Sequence, residues 1–212
     1  MMARETGIQR HLAFIGKIIS LYTHEQKNHL AIINESAGLL GDMLEFSEEI
    51  KELPQARQLL DIIKSIDAQI KRSSEMAKYL NAFGHRMDSP TASFNVNGCV
   101  EEVLVLLNRL IAQKRITFKA DYASGLPPIT GNPSNLQLLV FMAMQTLVTV
   151  TRENTQIFVK TFSSNDSTII RITPEGLDAP VDFTQQSDYF KPVRAVTING
   201  SGIDIIIPVN SH

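Results

Sequence analysis

"THEQKNHLAIINESAGLL", residues 23–40, decides how this chain is read. Leu30, Ile33, Ala37, Leu40 and Leu44 recur at three- and four-residue intervals, the spacing that lays side chains along one stripe of an α-helix. The stripe extends backwards, less cleanly, through Ile19 and Leu12. It breaks at "KELPQ", where Pro54 cannot sit inside a helix and disfavours helical geometry at Leu53. Leu59, Ile63, Ile66, Ile70, Ala77 and Leu80 then repeat it, with Ser73 occupying one slot. Two long helices with a short connection predict an antiparallel hairpin. One hairpin cannot bury two such stripes by itself, so dimerisation into a four-helix bundle is expected.

The second half changes period. "FNVNGCVEEVLVLLNRLIAQKR" reads as a short strand and a helix, with Asn97 as the expected N-cap. "ITFKADYA" alternates as a strand, and "PSNLQLLVFMAMQTLVTVT" is a strongly apolar helix opened by Pro133 and Ser134. "TQIFVKTFSSNDSTIIRITPEG" is a β-hairpin turning at "SSND". A short helix is expected within "DFTQQSDYFKPVRAV", and "GSGIDIIIPV" closes the chain as a strand. The fold class is therefore α+β, with a helical hairpin over 1–86 and an α/β sandwich over 94–212. The boundary falls near "GHRMDSPTAS", which is polar and broken by Pro90.

Composition narrows the function classes. The 212 residues are 43% hydrophobic and 20% charged with a net charge of −2, which gives no reason to expect nucleic acid or an anionic membrane as partner. No apolar run approaches the roughly 20 residues that cross a bilayer. The N-terminus lacks the apolar stretch and cleavage site of a signal peptide, so a cytoplasmic location is expected. The one cysteine, Cys99, excludes an internal disulfide and reads as a buried structural thiol.

His24 falls one position past the inward slot at Thr23, hence on the water-facing flank of the bundle. Glu25 adjoins it and Asn28 lies one helical turn along the same face. An exposed imidazole beside a carboxylate can act as a nucleophile, the carboxylate favouring the tautomer that leaves one ring nitrogen free. Asn28 would line the docking face, and Lys27 could offset phosphate charge. The other histidines read as ordinary: His11 and His85 as surface, His29 as a helix-face residue, His212 as tail.

"HEQKNHLAIINESAGLL" resembles the H-box of bacterial sensor histidine kinases: His, an acidic residue, two variable positions, Asn, then Leu and a spaced apolar run. "IDAQIKRSSEMAKYLNAF" resembles the second helix of their dimerisation and histidine-phosphotransfer domain. "FNVNGCVEEVLVLL" and "KRITFKADYASGLPPITGNPSNLQLLV" follow the order of their ATP-binding domain. The resemblance spans roughly residues 15–145. It implies His24 as phospho-acceptor, Glu25 as its orienting group and proton handler, and Asn28 on the docking face.

The resemblance fails at the nucleotide motifs. Thr146 and Met142 stand where the family carries asparagines, one of them the Mg-binding residue, and the helix around them is almost wholly apolar. Mg²⁺ demands oxygen ligands in near-octahedral geometry. In "RITPEGLDAP", Thr173 or Pro174 occupies the place of the adenine-reading Asp; Glu175 and Asp178 read as solvated loop acids. Phe183 to Pro208 leaves too few residues for lid, helix and terminal hairpin together, so the sandwich is expected to lack the ATP lid. "NGSG", with Gly200 and Gly202, reads as a hairpin turn rather than a phosphate loop, because "IDIIIP" after it is strand.

An acceptor half retained beside an eroded nucleotide half leads to the expectation of a homodimeric histidine phosphotransfer protein. His24 would take a phosphoryl group from one response-regulator receiver aspartate and pass it to another, with no cofactor in this chain and Mg²⁺ supplied by the receiver. Two alternatives compete: a sensor histidine kinase with an atypical ATP site that autophosphorylates His24, and a non-catalytic pseudokinase that binds a partner.

Overall fold

A computed structural model describes residues 2–46, 53–86, 91–183, 193–198 and 200–209. Two helices, α1 (Met2–Phe46) and α2 (Leu53–His85), form the antiparallel hairpin that the repeated stripe predicts. The connection falls at 47–52, outside the described residues. Which face turns inward differs from the expectation. Ser73 Oγ donates to Gln26 Oε1 at 2.7 Å, and His29, Ser36 and Gln69 are buried. Leu30, placed inward by the sequence, is 59% exposed, and Ile63 and Ile70 are 51% and 50% exposed. The hairpin thus has a polar seam and leaves apolar side chains outside. Ile19, Leu30, Ile32, Leu39, Ile63 and Ile70 stand exposed on the hairpin.

β1 (Ala92–Phe94) pairs antiparallel with β3 (Ile129–Gly131), a strand too short for the sequence to announce. Between them come α3 (Val96–Ala112) and β2 (Thr117–Tyr122). After β3 follow α4 (Pro133–Val150), β4 (Gln156–Ser164), β5 (Ser167–Pro174), β6 (Arg194–Ile198) and β7 (Gly202–Pro208). The main sheet runs β2-β4-β5-β7-β6, parallel between β2 and β4 and antiparallel elsewhere. Most of the helix expected in "DFTQQSDYFKPVRAV" lies outside the described residues; residues 194–196 of that stretch are strand β6.

Helix starts follow local chemistry. α3 is capped by Asn95, whose Oδ1 accepts from the Gly98 N–H at 3.1 Å, and not by Asn97. Asn97 ties the sheet instead, its amide donating to the Ala123 carbonyl and accepting from Thr161 Oγ1. α4 starts with Asn132 as cap and Pro133 in its first turn, where a missing N–H costs nothing.

Alternation on β4 and β5 turns Ile157, Val159, Ile170 and Ile172 inward, where Ile203, Ile205 and Ile207 of β7 join them under α3 and α4. The other face carries the Arg171–Asp204 and Lys160–Asp121 ion pairs, so the unit has two layers with one wetted side. The apolar cluster continues into the hairpin. Phe14 of α1 packs edge-on against Phe83 of α2, with ring centroids 5.2 Å apart, and against Phe141 of α4 at 5.0 Å. α4 is the one described helix long and apolar enough to cross a membrane, and 67% of it is buried here as core.

Candidate functional site

α1 carries His24 on its exposed surface, and Thr23, the expected inward neighbour, is exposed as well. Thr23 donates its hydroxyl back to the Ile19 carbonyl at 2.8 Å, a contact within the helix. Glu25 is half-buried, and its Oε1 lies 3.4 Å from His29 Nε2, one turn further on. Asn28 and Lys27 are exposed.

Glu25 and Asn28 share the wall of a cleft of about 360 Å³, closed by Met76 of α2 and by Asn108, Ala112 and Gln113 at the end of α3. The structure therefore brings two of the three expected site residues to one opening at the junction of hairpin and sandwich. Sequence reasoning missed Met76, Asn108 and Gln113. The only signal was that Asn108 interrupts the apolar run "VLVLLNRLI". His29, read as a helix-face residue, is instead buried at 6% exposure, with Nδ1 lacking any hydrogen-bond partner.

The corresponding nucleotide positions are filled with structural contacts. Thr146 Oγ1 donates to the Met142 carbonyl at 3.0 Å, so that hydroxyl is spent inside α4. The loop after β5 is sewn to the end of α4. The Arg152 N–H donates to the Gly176 carbonyl at 3.1 Å, and the Asp178 N–H to that of Val150 at 2.8 Å. Asp178 pairs with Arg152 at 3.2 Å, and Glu175 accepts from the Gln156 N–H at 3.2 Å. Both acids thus fasten the loop. "NGSG" is the β6–β7 turn, with Gly200 at a φ of +67° and the Ser201 N–H donating to the Ile198 carbonyl. Among the described residues no group of three or more His, Cys, Asp or Glu could hold a metal ion. Neither Thr146 nor Met142 is a carboxamide, so these two positions do not fit the family's Mg-nucleotide pattern.

Cys99 is buried in α3, and burial pushes its thiol up to about 12, with Glu102 adding to the rise and Arg86 opposing it. It is structural, as expected.

No family model matches the chain. It is 23% identical over 212 residues to the signal transduction histidine-protein kinase AtoS of Escherichia coli (strain K12), covering 99% of this chain and 33% of AtoS. The chain therefore spans about a third of that relative's length. Among solved structures, Acinetobacter baumannii histidine kinase AdeS aligns over 89% of this chain and 98% of its own, at 14% identity and TM-score 0.44. Histidine kinase ThkA, in complex with the response regulator protein TrrA, aligns over 98% of this chain and 64% of its own, at 15% identity and TM-score 0.46. The similarity to AtoS corrects the expectation of a histidine phosphotransfer protein. It runs through the sandwich as well as the hairpin. Along almost its whole length, this chain is similar to a sensor histidine kinase.

Proposed function

We propose that this chain is the core of a sensor histidine kinase with an atypical nucleotide site, and that His24 is the residue it phosphorylates. The observation that supports this best is the similarity to AtoS, which covers 99% of the chain and so includes an exposed His24 in its H-box setting. One neutral ring nitrogen of His24 attacks the γ-phosphorus of ATP, and the bond to the bridging oxygen breaks with its electron pair leaving on ADP. The proton on the other ring nitrogen is taken up at the Glu25 carboxylate. Asn28 lines the face on which the donor and, later, a response-regulator receiver dock. No step is assigned to a metal in this chain; magnesium enters with the receiver, whose aspartate takes the phosphoryl group from His24.

The working unit is a homodimer in the cytoplasm. Leu30, Ile63 and Ile70 supply apolar surface for a second hairpin, and such surface is costly to leave in water. The deciding experiment is incubation of the chain and of His24→Gln with ATP and Mg²⁺, reading acid-labile phosphate by mass. Label on the wild type alone supports the kinase reading. Absence of label from ATP removes it and leaves a non-catalytic, partner-binding role.

A further inference from the structure

We propose that His29 is a positioning residue for phosphorylation of His24, acting through Glu25. The inference rests on His24 being the phospho-acceptor. His29 is 6% exposed, and its Nε2 lies 3.4 Å from Glu25 Oε1. An imidazole nitrogen at that distance faces the Glu25 carboxylate as an ion-pair contact. Its Nδ1 is buried without a hydrogen-bond partner. On the opposite helix Gln69 Oε1 is likewise buried and unpartnered.

The two orphans belong to one layer. Gln26 meets Ser73 across the hairpin. His29 lies three residues beyond Gln26, about 4.5 Å along α1, and Gln69 four residues before Ser73, about 6 Å along α2. Since the helices run antiparallel, both displacements point the same way. A leucine at position 29 would fill this seam without an orphaned nitrogen, and burying an unpaired polar atom costs stability. The polar group that the imidazole meets here is the Glu25 carboxylate.

That contact has a consequence for His24. Glu25 adjoins the nucleophile and stands half-buried on the cleft wall. Held by His29, its carboxylate stays at the cleft mouth and receives the ring proton as the N–P bond forms. Without that contact it loses one restraint on its orientation and receives the proton less often.

The test compares the whole chain with His29→Leu and His29→Gln, using two phosphoryl donors. ATP is one. The other is phosphoramidate, which transfers its phosphoryl group to imidazole nitrogen with loss of ammonia and needs no nucleotide site. His29→Leu is expected to label His24 about tenfold more slowly with phosphoramidate, a modest share of what general-base assistance supplies. Its melting temperature stays unchanged or rises. His29→Gln, which keeps an N–H donor, recovers to within about twofold of wild type. Wild-type rates in His29→Leu overturn the proposal. So do equal losses in both variants with lowered melting, the mark of a packing role. Labelling by phosphoramidate but not ATP, still slowed by His29→Leu, upholds the positioning role while removing the kinase reading. Labelling of wild type by neither donor overturns both.

Discussion

Arg86 grips Glu102 with two nitrogens, at 2.9 and 3.1 Å, just where α2 ends and the chain turns toward the sandwich. Gln137 of α4 donates a third contact at 2.8 Å to the same carboxylate, whose side chain is only 8% exposed. Three helices therefore share one buried negative charge. Removing one partner of a buried pair leaves the other uncompensated. Arg86→Ala is expected to lower stability by about 3 kcal/mol, measured by denaturant unfolding. The triple change Arg86→Met, Glu102→Leu, Gln137→Leu is expected to recover most of that loss, because it removes the charge together with its partners.

Glycine substitutions should act with opposite signs at two places. A Cβ on Gly202 would sit 2.7 Å from Thr173 Cγ2 and 2.8 Å from the Ile172 carbonyl oxygen. The backbone of β5 cannot retreat, so Gly202→Ala should cost about 2 kcal/mol. Gly38, inside α1, has nothing within 4 Å. Gly38→Ala should stabilise the chain by about 0.5–1 kcal/mol through the helix backbone alone. Thermal unfolding of both variants reads the two signs.

Alkaline pH should weaken the fold. Burial holds the Cys99 thiol and the Tyr122 phenol up to about 12 each, against ordinary values of 9.0 and 10.0. Between those values the unfolded groups have lost protons that the folded groups still keep. Stability therefore falls as pH rises from about 9 toward 12, by up to about 1.4 kcal/mol per pH unit for each group in its window. Urea midpoints at pH 8 and 10.5, for wild type and Cys99→Ala, check this; the variant should lose less. Native Cys99 should also resist iodoacetamide at pH 8 and react once unfolded.

The outward stripe gives an assembly prediction. Leu30→Glu with Ile70→Glu removes two side chains worth about 2 kcal/mol each when buried between hairpins. Sedimentation should show association weakened more than about a hundredfold, while the circular dichroism of the helices persists.

What the sequence revealed follows from period and length. The long helices and the β4–β5 hairpin were legible because their repeats run over many residues. β3 spans three residues after "GLPP" and has no period to show. Asn95 and Asn97 are both competent caps, and only the register of β1 selects the first. Leu30 was assigned inward because an apolar stripe normally faces its nearest helix. Here that place is taken by Gln26, His29, Ser73 and Gln69, a set that no hydropathy rule ranks as core. His24 is exposed as expected, although the register used to place it, with Thr23 and Leu30 inward, does not hold. The cleft was not legible, because its walls come from three helices far apart in the chain.

The junction of Phe14, Phe83 and Phe141 has one more effect. Hairpin and sandwich draw on a single apolar interior, so neither can loosen without exposing rings that belong to the other. Heat should then melt the chain in one calorimetric peak, with matching calorimetric and van't Hoff enthalpies, where two independent modules would give two. A displacement of either helix at Phe14 or Phe83 therefore reaches the sandwich through packing.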